Sequence, residues 1–344
     1  MSNPTSARPP AMVLVGVGGY LPERIVTNDD LSKVMDTSDE WIASRTGIRE
    51  RRVAAEGQTS LHLAVEAGRE ALKATNDGRT DVDALVLATM TPDRLCPATA
   101  PDVAAELGLG HIPAFDVSAV CSGFVYAAAT AQGLIAAGTA QRVLIIGTEV
   151  MSSFLNPEDR NTAVIFGDGA GAVVVRAGEP DEPGAFGPFD LGADGGGSDL
   201  ITVNGFGGRT PPEPTRENTD DDYLFMAGRE VYRQAIPAMA ESSRVALAAR
   251  GWELGDLDAV IGHQANVRIL DAVCRELGID TSISFVNLDK VGNTSGASIP
   301  LAMTHAHQQG FTTAGQRVLL TAFGAGLTWG SGTLIWPELP EMPA

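Results

Sequence analysis

The chain has 344 residues, 44% of them hydrophobic and 19% charged, which is enough to bury a sizeable core as two fused domains or one large α/β domain. Its 43 acidic residues outnumber 24 basic ones, for a formal net charge of −19. That balance argues against nucleic acid as a partner and requires a local basic patch for any acidic protein partner. Three scattered cysteines, Cys96, Cys121 and Cys274, make neither a disulfide framework nor a C-x-x-C pair and fit a reducing cytoplasm.

Residues 1–10 are polar and proline-rich and are predicted to form a disordered tail. They lack the apolar stretch of a signal peptide, and no apolar run reaches about 18 residues. The expectation is a soluble chain, neither exported nor membrane-spanning. Strand-like and helical patterns then alternate: strand 12–17, helix 60–75, strand 84–88, helix 99–107, strand 113–117, helix 122–137 and strand 143–146. This order predicts an α/β protein with a largely parallel sheet. Residues 179–222 break the pattern with Pro, Gly and acid, including Pro211-Pro212-Glu213-Pro214 and Asp220-Asp221-Asp222. They read as an irregular excursion between an 11–178 half and a 223–344 half.

The order of elements recurs. Val82-Asp83-Ala84-Leu85-Val86 resembles Leu257-Asp258-Ala259-Val260-Ile261, and Gln141-Arg142-Val143-Leu144 resembles Gln316-Arg317-Val318-Leu319, both at an offset of 175 positions. Ser122-Gly123 before one helix is echoed by Ser295-Gly296 before another. Two similar halves would face equivalent corners across a pseudo-twofold axis, although short buried strands also resemble one another by chance.

Three of these corners carry reactive side chains. Cys121 lies where the strand ending at Val117 turns through Ser118-Ala119-Val120 into a helix. Unpaired N–H groups and the helix dipole favour a thiolate there, although most free cysteines are simply small buried residues. Ala259-Val260-Ile261-Gly262 leads to His263 at a strand end, before a helix pattern over 267–277. Asn293, in Gly292-Asn293-Thr294-Ser295-Gly296, is expected at the corner corresponding to that of Cys121, before a helix over 297–307. Phe323-Gly324-Ala325-Gly326 is a turn whose backbone N–H groups could face an oxyanion. A thiol, an imidazole and a carboxamide so placed point to acyl transfer, with Cys121 attacking a thioester and His263 and Asn293 donating to an enolate oxygen.

The same residues carry a family resemblance. Asp36-Thr37-Ser38-Asp39-Glu40-Trp41-Ile42, Arg45-Thr46-Gly47-Ile48-Arg49, the Cys121 segment, Phe166-Gly167-Asp168-Gly169-Ala170-Gly171, His263-Gln264-Ala265-Asn266-Val267-Arg268-Ile269, Gly292-Asn293-Thr294-Ser295 and the run from Phe323 to Gly330 occur in this order. The chain thereby resembles β-ketoacyl-acyl-carrier-protein synthase III, a thiolase-fold condensing enzyme, over about residues 14–336. The resemblance implies a five-layered αβαβα fold of two pseudo-symmetric halves, a homodimer, and no cofactor beyond CoA thioester substrates. It implies acylation of Cys121 by acyl-CoA, then decarboxylation of malonyl-acyl carrier protein assisted by His263 and Asn293, with the backbone N–H groups of Cys121 and Ala325 as oxyanion hole. Ala325 stands where the family often has glycine, but the donor is backbone.

By the same resemblance, CoA contacts fall on Trp41, Arg45, Arg160, Tyr232, Arg233, Ala265, Asn266 and Arg268. Guanidinium groups suit phosphates and Trp41 suits an adenine. Asn161 and Tyr232 replace a common glycine and phenylalanine. Arg268 and Arg275, seven positions apart, would share a helix face and with Arg233 would form a docking patch for the acidic carrier protein; a merely solvated face is the alternative. Cys96 matches a position that reaches the partner subunit's acyl site, where a small thiol would admit primers longer than acetyl or branched ones.

Other signals are set aside. Gly16-Val17-Gly18-Gly19 opens no helix and Gly167-Asp168-Gly169-Ala170-Gly171 runs into a strand, so neither is a dinucleotide loop. His62, His111, His305 and His307 lack ligand spacing, and no metal is expected. A condensing or acyl-transferring relative from specialised, polyketide-type metabolism is the alternative within the fold, and a cysteine hydrolase or a non-catalytic binding protein lies outside it.

Overall fold

A computed structural model describes residues 9–205 and 222–342. The first half opens with β1 (Ala11–Tyr20), followed by an antiparallel ribbon of β2 (Arg24–Thr27) and β3 (Glu50–Val53) that frames α1 (Asn28–Ser32) and α2 (Asp39–Thr46). Ser38 Oγ caps α2 by accepting the Trp41 N–H, and Gly47 at φ +85° ends it. Next come α3 (Ser60–Lys73), β4 (Ala84–Ala88), α4 (Ala100–Glu106), β5 (Ala114–Val117), α5 (Gly123–Ala136), β6 (Arg142–Glu149) and β7 (Gly169–Gly178). The sheet order is β1-β7-β6-β4-β5. Only β6, β4 and β5 are parallel, and β7 runs antiparallel to both β6 and β1. The expected largely parallel sheet is therefore a mixed one, because β6 returns as β7 without a crossover helix.

The second half contains β8 (Asp190–Ala193), β9 (Ile201–Thr202), β10 (Phe225–Met226), α6 (Gly228–Arg250), β11 (Ala259–Gly262), α7 (Val267–Leu277), α8 (Leu288–Val291), α9 (Ser298–Gln308), β12 (Arg317–Gly324) and β13 (Thr328–Ile335). Its sheet order is β11-β12-β13-β8. The stretch expected to be irregular supplies the edge strand of this sheet, β8, and a two-residue strand, β9, paired with β10. Four-residue and two-residue strands among glycines are too short to leave a period-2 pattern. The proline-rich 211–214 segment, Asp220, Asp221 and residues 1–8 of the expected tail lie outside the described residues.

Five layers result. α3 and α4 cover one face of the first sheet, and Leu85, Leu87, Leu144, Ile146 and Val174 pack against them. The alternate residues Val86, Val143, Ile145, Val173 and Val175 point the other way, toward α5 and α9. That central layer is shared with Ala259, Ile261, Val318, Leu320 and Ala322 of the second sheet. Val260, Leu319 and Phe323 face α6 and α7 on the far side. Strands buried on both faces explain why the sequence reads there as continuous apolar runs. No helix among the described residues is long and apolar enough to cross a membrane.

The repeat is visible in hydrogen bonding. Ala84 pairs with Val143 and Ala259 with Val318 in parallel register. The Asp83 N–H donates to Arg142 O and the Asp258 N–H to Arg317 O. The carboxylates of Asp83 and Asp258 accept the backbone N–H of Arg142 and Arg317. The counterpart of β5 is reduced to a single bridge between Val260 and Ser284.

Candidate active site

Cys121 is the middle residue of a 3-10 turn, Val120–Ser122, that leads into α5. Val120 has φ +48°, a left-handed backbone that β-branched residues rarely adopt. The same conformation recurs at Ser295, φ +47°, in the 3-10 turn Ser295–Ala297 that leads into α9. At the 175-residue offset Val120 matches Ser295, so the counterpart of Cys121 is Gly296. The expectation that Asn293 holds that place is thus displaced by three residues, and the Ser122/Ser295 echo by two. The left-handed residue marks the corner, and similar short motifs do not.

The Cys121 thiol is buried and donates to Ser295 Oγ at 3.6 Å. Burial pushes it up to about 12, and the nearby Glu149 carboxyl adds to the rise, while the Ser295 hydrogen bond opposes it. Desolvation thus outweighs the thiolate-favouring helix N-terminus expected from position alone. The proton must leave as the sulfur bond forms.

His263 follows β11, and its backbone N–H donates to Thr321 O at 2.8 Å, which ties it to the middle of β12. Its Nδ1 lies 2.6 Å from Ser298 Oγ at the start of α9. Burial holds the imidazole down to about 3, so it is neutral. A Ser298 hydroxyl that donates to Nδ1 leaves the remaining proton on Nε2 as a donor. Asn293 is held by a bridge to Phe166, with its N–H on Ile165 O and its carbonyl accepting from Gly167. Its Oδ1 accepts the Ser295 N–H at 2.8 Å, which leaves Nδ2 as the donor end.

Cys121, His263 and Asn293 line one apolar recess with Met90, Met151, Met226, Met239 and Phe323. Gly324 abuts the nucleophile's turn: a Cβ there would stand 2.9 Å from Cys121 N and 3.2 Å from Cys121 Cβ. The turn after β12 therefore approaches Cys121 only because residue 324 is glycine, which brings the Ala325 segment beside it. A wider channel meets the recess at Met226, Val231, Ala265, Ile269 and Asn293. Trp41, Arg45, Arg160, Tyr232, Asn266 and Arg229 also line it. The guanidinium groups of Arg45 and Arg160 lie 4.4 and 5.4 Å from the Trp41 ring centre, and Arg160 Nη1 donates to Asp36.

Two expected channel residues lie outside this lining. Arg233 turns back to Glu230 at 2.5 Å on the exposed side of α6, because the channel face of that helix is set by Arg229 and Tyr232, three apart. Arg268 donates to Ser44 O at 2.5 Å and so clamps α7 to α2, while Asn266 caps α7 through Oδ1 on the Arg268 N–H and bonds Arg45 O through Nδ2. Arg268 and Arg275 do lie on α7, both exposed. Cys96 is exposed beside Leu95 and is not among the residues that line the recess of its own chain. Cys274 is packed in α7.

Sequence reasoning missed Arg229, Ser298, Glu149 and the methionine lining. Arg229 carried a signal, three residues before Tyr232 on one helix. Ser298 and Glu149 meet their partners only through tertiary packing. Phe166–Gly171 leads into β7 as expected: Asp168 accepts from the Ala54 N–H and from the N–H and O–H of Ser152. No cluster of potential metal ligands occurs among the described residues.

Residues 115–195 match the family of 3-oxoacyl-[acyl-carrier-protein] synthase III, and residues 247–336 match its C-terminal part. The chain is 54% identical to β-ketoacyl-[acyl-carrier-protein] synthase III 3 of Streptomyces coelicolor, over 96% of this chain and 98% of that one. It is similar to the crystal structure of 3-oxoacyl-(acyl carrier protein) synthase III, FabH, from Pseudomonas aeruginosa, with TM-score 0.88 and 46% identity over 96% of this chain and 99% of that one. It is also similar to the priming β-ketosynthase of the R1128 polyketide pathway, with TM-score 0.88 and 34% identity over 98% of this chain and all of that one. The five layers, the ordered motifs and these likenesses agree: the chain belongs to the thiolase-fold β-ketoacyl-[acyl-carrier-protein] synthase III family.

Proposed function

We propose that the protein joins an acyl-CoA primer to malonyl-acyl carrier protein by decarboxylative Claisen condensation and so initiates fatty-acid synthesis. The observation that carries this is the meeting of Cys121, His263 and Asn293 at the bottom of one recess reached through an arginine- and tryptophan-lined channel. The Cys121 sulfur attacks the thioester carbonyl, the backbone N–H groups of Cys121 and Ala325 hold the oxyanion, and CoA leaves with the thiol proton. Malonyl-acyl carrier protein then enters. Loss of CO2 leaves an enolate whose oxygen is held by His263 Nε2–H and Asn293 Nδ2–H, and its carbon attacks acyl-Cys121. The thiolate released from Cys121 takes up a proton, and β-ketoacyl-acyl carrier protein leaves.

Trp41, Arg45, Arg160, Tyr232, Ala265 and Asn266 hold CoA in this reading, and no further cofactor is needed. Arg268 and Arg275 on α7, with Arg233, dock the carrier. The enzyme acts as a cytoplasmic homodimer, in which the small Cys96 side chain reaches the partner's acyl site and admits primers longer than acetyl or branched ones. A second reading, priming of a polyketide-type pathway, is favoured by the likeness to the R1128 priming ketosynthase.

Intact-mass analysis of Cys121 after exposure to a panel of acyl-CoAs, followed by addition of malonyl-acyl carrier protein, tests the proposal. Acetyl or short branched acylation and then a β-ketoacyl product with CO2 is expected; stable acylation without condensation refutes it. Arg268→Glu is expected to raise KM for the carrier substrate, and unchanged kinetics would remove the docking role.

A further inference from the structure

Glu149, the last residue of β6, is fully buried and has no part in the steps above. It collects neutral donors from both halves. On one side are the N–H groups of Met90 at 3.1 Å and Thr91 at 3.2 Å, with the hydroxyls of Thr91 at 2.8 Å and Thr89 at 3.3 Å. On the other is the Gly296 N–H at 3.3 Å. A Cβ on Gly296 would stand 2.9 Å from Glu149 Oε1 and 3.1 Å from Val120 O. The carboxyl group, the Val120 corner and the Ser295–Gly296 corner are therefore in direct contact, and the side chain of Ser295 reaches Cys121 Sγ.

We propose that Glu149 is a positioning residue for acyl transfer: its carboxyl group ties the end of β4 to the Ser295–Gly296 corner and thereby sets where the Ser295 hydroxyl meets the Cys121 thiol. This rests on the acyl-transfer reading of the site. The tie has an electrostatic cost, since a charged Glu149 opposes thiolate formation at Cys121. Burial raises Glu149 to about 7 against the pull of its hydrogen bonds. The other titratable groups on neighbouring elements are engaged elsewhere. Asp168 is bonded to Ala54 and Ser152, and Asp93 and His62 to Thr59. His263 is bonded to Ser298.

The test compares wild type, Glu149→Gln, Glu149→Asp and Ser295→Ala. It measures single-turnover Cys121 acylation, the pH profile of Cys121 alkylation by iodoacetamide, and Tm. Glu149→Gln retains the size but sets an amide NH2 against N–H donors. It should slow acylation about 10- to 100-fold, as displaced reacting groups do, with KM for acyl-CoA little changed. Its alkylation midpoint should move to lower pH, and that of Glu149→Asp should not. A lowered Tm with wild-type acylation and an unmoved alkylation profile would mean a purely structural role and overturn the proposal. If the Glu149 variants do not fold, Ser295→Ala decides: slowed acylation at near-native Tm supports the proposal, and wild-type acylation overturns it. A wild type that is alkylated but accepts no acyl-CoA would refute the proposed function instead, and the alkylation profiles would still decide the role of Glu149.

Discussion

The corner at Val120–Ser122 and the corner at Ser295–Ala297 share a left-handed first residue, a 3-10 turn and a following helix, yet one carries the thiol and the other a glycine. Duplication supplied the backbone twice, while the chemistry was placed once. Gly296 leaves space for Glu149, and Ser295 offers its hydroxyl to Cys121. The second corner has become a support for the first.

Removing the thiol is the sharpest break of this comparison. Cys121→Ala should abolish acylation, a loss of about 1000-fold or more, read as the absence of an acyl adduct by intact mass. Next in size, His263 and Glu149, both buried near the corners, should pull stability in opposite directions with pH. His263 is held to about 3 against an ordinary 6.5. The unfolded chain therefore takes a proton that the folded one refuses, and stability present above pH 6.5 is lost as pH falls toward 3, by about 2 kcal/mol at pH 5. Glu149 is raised to about 7 from 4.5. Its contribution is full below pH 4.5 and is lost as pH rises through about 7, by about 3 kcal/mol at most. Between pH 4.5 and 6.5 the two slopes oppose each other, so wild-type urea midpoints should change little from about pH 5 to 6.5, whereas Glu149→Gln should uncover the His263 loss as a midpoint that falls as pH falls; a Glu149→Gln profile as flat as the wild type's would break the assignment. Smaller still, Gly296→Ala should cost about 1–3 kcal/mol of stability through overpacking, with acylation slowed as well, whereas Gly255→Ala, at a position with open space around it and no positive φ, should leave acylation unchanged.

The parts legible in the sequence were those written in local pattern. β4 spans 84–88 and α7 spans 267–277 as expected, because buried apolar runs and an amphipathic stripe are both local signals. The 175-residue repeat was legible for strands, whose starts are fixed by Asp83 and Asp258. At the corners the short Ser-Gly likeness misled, because the left-handed φ at Val120 and Ser295 that marks the matching positions leaves no residue-type signature. Cys121, His263 and Asn293 were found by motif, and the structure brings them to one recess. Ser298 and Glu149 were not, since each meets its partners only through tertiary packing, and Arg229, three residues before Tyr232 on one helix, was a signal left unread. The raised thiol could not be read from position on a helix, because burial is a tertiary property.

Trp41, with two guanidinium groups against its ring, gives the channel a built-in optical reporter. Any phosphate-bearing ligand that draws Arg45 or Arg160 away from the indole changes the surroundings of that fluorophore. Trp336, in contrast, is sealed in the interior and would stay silent. Occupancy of the entrance can therefore be followed by intrinsic emission, with Trp41→Phe as the dark control, without attaching a label to substrate or enzyme.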